Sequence, residues 1–149
     1  MEFGWINVFG AGWVILMLIP NIICALKNKG EKNLCESPAM NVIEQIGRYG
    51  CIVLMWLPLL VKKFAFAGVF EMLLYLAGNG ILLLAYWIAF AVWMKHRSVG
   101  LALTLAILPA CIFLQSGILL RHWLLVGFAV LFAVGHIYVT LQNAIRREQ

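Results

Sequence analysis

The sequence predicts an all-α, polytopic membrane bundle of five transmembrane helices, with the amino terminus outside and the carboxyl terminus in the cytoplasm. Three observations predict it. Of 149 residues, 64% are apolar and only 11% charged, far from globular averages and close to membrane proteins. The apolar residues gather into five runs near the roughly twenty-residue length that crosses a hydrocarbon core. The basic residues stand singly or in pairs at the ends of those runs, the pattern of positive-inside anchoring. A nucleic-acid surface, which the net charge of +5 would otherwise raise, needs a contiguous basic patch. One membrane domain over 1–149 is expected.

The first run, 4–26, has no basic segment ahead of it, so it is expected to remain as a span rather than leave as a signal peptide. Pro20 near its far end should kink it and free the carbonyl one turn back. A polar loop follows, with Lys27, Lys29 and Lys32 against Glu31 and Glu36. Ser37-Pro38 then starts the second helix, because proline is tolerated in the first turn. That second run, 40–61, closes at Pro58 and Lys62-Lys63. The third, 70–94, opens with Glu71 and carries Gly78-Asn79-Gly80, a bend or a close helix approach. The fourth, 99–120, has Pro109 at its middle. The fifth, 123–142, is separated from it only by Arg121-His122, which forces a tight antiparallel hairpin. Ser116-Gly117 is expected to end the fourth helix early and make room for that turn.

The loops give the orientation. One side holds Lys27, Lys29, Lys32, Lys95, Arg97, Arg146 and Arg147, and the other holds Lys62, Lys63 and Arg121. Seven against three puts the carboxyl terminus inside. Trp5, Trp56 and Trp123 then fall at the outer interface and Trp93 at the inner one. Small residues at steps of four, Ser98-Ala102-Ala106-Ala110, Ala85-Ala89 and Ala129-Ala133, mark seams where helices can approach closely in lipid. There is no internal repeat.

Polar groups inside the runs are the candidates for function, since each is costly in hydrocarbon. Asn41, Glu44, Gln45 and Arg48 crowd two turns of the second run. Glu44 and Arg48 are one (i, i+4) step apart with the acid first, which lets them pair. With Asn21 and His136 they form an inner-leaflet set that converges if helices one, two and five meet. The plain structural reading has Glu44 and Arg48 neutralise each other and anchor the helix, but the set exceeds what anchoring requires. An outer set comprises Glu71, Asn79, Gln115, Arg121 and His122. Asn79 and Gln115 there read as interhelical hydrogen bonds, and His122 as an interfacial residue.

The cysteines, Cys24, Cys35, Cys51 and Cys111, form no C-x-x-C, and three lie in apolar runs, so neither a disulfide framework nor a metal site is expected. Cys35, in the polar loop, is the one thiol placed for reactivity. Soluble-enzyme motifs are absent: no Gly-rich phosphate loop, no G-x-S-x-G, no H-E-x-x-H. His136 follows His122 by fourteen residues, so the two share a face about 21 Å apart. That spacing is similar to the haem-ligating pairs of membrane cytochromes b, and haem through His122 and His136 would need a parallel homodimer. A lone intramembrane histidine is more often a hydrogen-bonding or proton-handling group.

Two resemblances reach these residues. Glu44 to Cys51 (E-Q-I-G-R-Y-G-C), with R-H-W-L-L-V-G-F from Arg121, resembles a group of small uncharacterised membrane proteins from Gram-positive anaerobic bacteria, which implies a bacterial cytoplasmic membrane. Asn41 and Glu44, as N-x-x-E, are similar to the MAPEG superfamily, four-span enzymes whose homotrimers bind glutathione on the polar face of that helix. Ser37 stands where that pattern has arginine. The resulting expectation is a homo-oligomer that binds or passes a small polar or amphiphilic ligand at Asn41, Glu44, Gln45, Arg48, Asn21 and His136. The alternatives are a MAPEG-like enzyme using a thiol cofactor and a structural subunit of a membrane complex.

Overall fold

The computed structural model describes residues 6–29, 32–57, 59–61 and 65–148, so Trp5, Glu31, Pro58, Lys62 and Lys63 lie outside the described residues. Five helices form: α1 (Val8–Lys27), α2 (Pro38–Trp56), α3 (Val69–Lys95), α4 (Val99–Leu119) and α5 (Trp123–Glu148). Among the described residues there is no strand. α1, α3, α4 and α5 are long and apolar enough to cross a membrane. α2 falls outside that group because Asn41, Glu44, Gln45 and Arg48 dilute its apolar residues.

Local chemistry explains the boundaries. Asn7 caps α1, its side chain accepting from the Gly10 amide at 3.0 Å. Ser37 caps α2 with Pro38 in the first turn, as its sequence predicts. Gly68 offers no side-chain cap, and Glu71 reaches back instead to accept from the Ala67 amide at 2.8 Å. Pro20 frees the Leu16 carbonyl, and the Trp87 indole N–H of α3 takes it at 3.2 Å. An expected kink site is thereby turned into an interhelical tie.

The helices alternate up and down, as two sets of contacts show. At one end the Asn7 amide donates to the Trp56 carbonyl at 2.8 Å, joining the start of α1 to the end of α2. Arg121, between α4 and α5, pairs there with Glu71 at 2.8 Å. At the other end Asn143 accepts from the Leu34 amide at 2.6 Å and donates to Asn33 at 3.0 Å. Arg146 there binds Glu36 at 2.6 Å, so the 32–37 loop is strapped to the last turns of α5. That pairing holds the Glu36 carboxyl below the usual carboxylate range.

α4 does not end early at Ser116-Gly117; it continues to Leu119. The room comes from Gly117, where a Cβ would sit 2.8 Å from Val126, and from Arg121, whose φ of 52° turns the chain. Ala102, Ala106, Ala110, Ala89 and Ala129 are buried, so these small-residue seams serve packing within the subunit. Large apolar side chains such as Ile15, Ile22, Val42, Ile46, Ile81, Ile88 and Val134 are exposed around the bundle. That girdle far exceeds the scattered apolar residues normal at a water-facing surface and is compatible with hydrocarbon.

α2 and α5 cross backbone against backbone at two glycines. A Cβ on Gly47 would lie 2.5 Å from the Phe132 backbone nitrogen, and one on Gly135 would lie 2.6 Å from that of Glu44. Backbone against backbone cannot yield as a side-chain tip can. Gly135→Ala should therefore lower the thermal midpoint in detergent: overpacking costs about 1–3 kcal/mol, and alanine returns only about 1 kcal/mol of helix propensity. Gly12→Ala, with nothing within 4 Å, should hold or raise it. Equal midpoints for the two variants would show that the crossing is not close.

Candidate functional site

The α2–α5 crossing puts Glu44 of α2 beside His136 of α5. Glu44 Oε1 accepts from His136 Nδ1 at 2.8 Å and also from the Arg48 guanidinium. One carboxylate oxygen thus serves two donors from two helices. The side chains are 5% exposed for Glu44, 36% for Arg48 and 22% for His136. His136 stacks on Phe132, 4.7 Å between ring centroids and 15° from parallel, which fixes the ring plane one turn before the histidine. With Nδ1–H given to Glu44, Nε2 is left as the second functional nitrogen.

Arg48 does not spend its whole fork on Glu44; it also lines a cavity of about 160 Å³ with Asn21, Tyr86 and His136. Apolar groups, among them Met17, Phe113 and Pro109, close that cavity. Asn21 donates to the Met17 carbonyl at 3.0 Å and to the Tyr86 hydroxyl oxygen at 2.8 Å. Because Tyr86 Oη accepts from Asn21, its own proton remains to be given elsewhere. A second cavity of about 510 Å³ shares Asn21, Tyr86 and His136 and runs toward Asn28 and Lys29 at the end of α1. A third, of about 590 Å³, shares Trp93, Ala102 and Thr140 with the second and lies at the Asn143 end of the bundle.

Of the six residues expected at the site, the structure brings together four: Asn21, Glu44, Arg48 and His136. Asn41 is elsewhere engaged, accepting from Asn33 at 2.8 Å and donating to the Cys35 carbonyl at 3.2 Å. Gln45 is exposed on the outer side of α2, because it follows Glu44 by about 100° of helical turn. Tyr86 belongs to the site and escaped the sequence reading, although a phenol deep in an apolar run carries the same desolvation signal as the amides. Cys35 is buried, and all four thiols are free.

The outer polar set is structural. Asn79 donates to Ser116 at 3.0 Å, and Gln115 donates to the Leu74 carbonyl at 3.2 Å, so both bridge α3 and α4 as expected. Asn7 adds a donor to the Met55 carbonyl at 3.3 Å, and Tyr75 shares hydrogen bonds with Asn7 and Ser116. His122 differs from its reading. It is fully buried rather than interfacial, with Nε2 donating to the Leu59 carbonyl at 3.0 Å. A haem iron on His122 Nε2 would have to displace that bond, whereas on His136 it would take Nε2, since Nδ1 is given to Glu44. Among the described residues no group of three or more His, Cys, Asp or Glu side chains is placed to hold a metal ion.

No family model, curated protein or solved structure matches this chain.

Two predictions follow the geometry. Glu44→Gln and Arg48→Gln should each lower the thermal midpoint, and the double variant should recover part of the loss. Breaking a buried pair costs about 3–5 kcal/mol where a charge is left alone. Arg48→Gln should cost more, because it leaves a buried carboxylate with His136 as its one remaining side-chain partner, whereas a lone Arg48 is the more exposed of the two. Additive losses would show the two residues uncoupled.

Burial pushes the His122 imidazole below its ordinary value, so folding favours its neutral form. Stability should hold above the unfolded-state value of about 6.5 and fall as pH drops through the lowered folded-state value, since the unfolded chain then binds more protons. His122→Asn should flatten the slope of midpoint against pH between about 7 and 5. An unchanged slope would assign the acid sensitivity to another group.

Proposed function

We propose that this protein is a five-span bundle of a bacterial cytoplasmic membrane, amino terminus outside, that binds or passes a small polar or amphiphilic ligand reached from the cytoplasmic half. Glu44 and Arg48 neutralise each other and present the site. Asn21, Tyr86 and His136 supply its remaining hydrogen bonds. The observation that carries the reading is that Arg48 both pairs with Glu44 and lines a cavity. A cluster serving only as interhelical glue would turn its arginine wholly onto the carboxylate. An intramembrane ion pair at a cavity is by default a site, and a concave, mostly apolar space with a few convergent polar groups is the usual form of a small-molecule pocket.

Five spans rather than four are supported by α2 itself. Nineteen residues reach about 28 Å at 1.5 Å each, close to a hydrocarbon core. Glu44 is turned inward, while Val42, Ile46 and Val53 are exposed. The orientation is supported by Lys27, Lys95, Arg146 and Arg147, which all fall at the Asn143 end, and by Arg121 at the other.

Small molecules extracted from purified wild-type protein should include a species missing from the Glu44→Gln/Arg48→Gln double variant, as mass spectrometry of the two extracts would read. Identical extracts from two folded proteins would leave the cluster as glue between α2 and α5. A cytoplasm-dependent reporter fused after Gln149 should be active; activity of an extracytoplasmic reporter at that position would mean four spans or an inverted chain.

A further inference from the structure

Three polar side chains at the smaller cavity, His136, Tyr86 and Arg48, can be read hydrogen by hydrogen. Glu44, paired with Arg48 as a carboxylate, only accepts. The nitrogen it holds at 2.8 Å, His136 Nδ1, therefore carries the ring hydrogen, and Nε2 of the neutral ring is left with a lone pair that needs a donor. The stack on Phe132 keeps the ring from turning over. Among the described residues nothing donates to Nε2, and it is not sealed in as a buried unpaired atom. His136 lines both the cavity of about 160 Å³ and that of about 510 Å³. Tyr86 lines the same two and is the opposite case. Its oxygen accepts from Asn21 at 2.8 Å, and its O–H has no acceptor among the described residues. Arg48 gives an N–H to Glu44 and has others left where it lines the smaller cavity. The cavity thus offers one acceptor and two sources of donors. It offers no net charge from the cluster, because Glu44 and Arg48 balance each other.

We propose that the ligand is an uncharged alcohol on an apolar body, its hydroxyl donating to His136 Nε2 and accepting from Tyr86 and Arg48. This rests on the reading of the cluster as a ligand site and specifies its chemical class. A hydroxyl has one hydrogen and two lone pairs, the complement of one acceptor and two donors. An ether or ketone oxygen lacks the hydrogen and leaves Nε2 unpaired, and an ammonium lacks the lone pairs and leaves Tyr86 and Arg48 unpaired. Each group left unpaired in a buried site is costly. A charged head would also bring an unbalanced charge beside a pair that is already balanced, in surroundings where a lone charge is expensive. The apolar body has room in the adjoining cavity, against Phe90, Trp93, Leu105 and Ala106.

The test is calorimetric titration of the purified protein at about pH 8, where an imidazole is ordinarily neutral, in an amine-oxide detergent, which has no hydroxyl to compete. The probes are decanol, decyl methyl ether and decyl phosphate at equal mole fractions in the micelle. Decanol should bind saturably at one site. The ether, which keeps the acceptor and loses the donor, should bind roughly threefold to tenfold more weakly. His136→Phe, which keeps a ring to stack on Phe132, should bring decanol down to the affinity of the ether and leave the ether unchanged. Tyr86→Phe should weaken both by the same factor, roughly threefold to tenfold, since both accept from that hydroxyl. Where His136→Phe fails to fold, the wild-type ratio of alcohol to ether and the Tyr86→Phe variant decide. Equal affinity for decanol and ether, or tighter binding of decyl phosphate than of decanol, with Tyr86→Phe still weakening the probe, would overturn the alcohol and leave the site standing. Saturable binding of no probe, or binding that neither variant alters, would overturn the class and the site together.

Discussion

The structure depends on a backbone crossing without side chains between the helices. Gly47 and Gly135 let α2 and α5 meet at a distance no Cβ would permit, and that contact places Glu44 against the turn bearing His136. Between helices surrounded by lipid there is no hydrophobic force to supply the association; close packing and interhelical hydrogen bonds supply it. The same crossing therefore does two jobs. It brings α2, the least apolar helix, into the bundle, and it satisfies the one described carboxylate buried among the helices with donors from both sides.

From that point the remaining polar groups sort by end. Toward Asn7, the buried amides and hydroxyls of Asn7, Tyr75, Asn79 and Ser116 bond to one another and to a carbonyl, which ties α1, α3 and α4 together. Toward Asn143, the polar groups face cavities. Asn21 and Tyr86 bond to each other but still reach the open space that Arg48 and His136 share. The first group lies buried between packed helices, whereas the second lines open space. This asymmetry, rather than the number of polar residues, distinguishes a site from glue.

Much of the architecture was legible in the sequence because single residues dictate it. Apolar runs located all five helices. Ser37-Pro38 marked the start of α2, and Pro20 marked a carbonyl that needed a partner. Glu44, Arg48, Asn21 and His136 were legible as a set because each is expensive in hydrocarbon and the first two have pairing geometry. What could not be read was partner identity. Glycine announces close approach without naming the helix that approaches, so the α2–α5 crossing was hidden. The polar strip also looked wider than it is: a helix face resolves residues 100° apart, which separates Gln45 from Glu44, and the first turn lends Asn41 to the preceding loop. His122 looked interfacial from its neighbours, but the Leu59 carbonyl reaches its ring, a contact with no local signature.

The central claim is that the charged face of α2 borders a cavity open to water from the carboxyl-terminal end. Cysteine accessibility tests it most directly, in a background where Cys24, Cys35, Cys51 and Cys111 are replaced. Asn21→Cys, on the cavity wall, should react with a charged, membrane-impermeant maleimide applied from the carboxyl-terminal side. Ile46→Cys, on the outward apolar face of α2, should stay unlabelled from either side. Labelling of Ile46→Cys together with silence at Asn21→Cys would contradict the account, placing the outer face of α2 in water and the cavity out of reach.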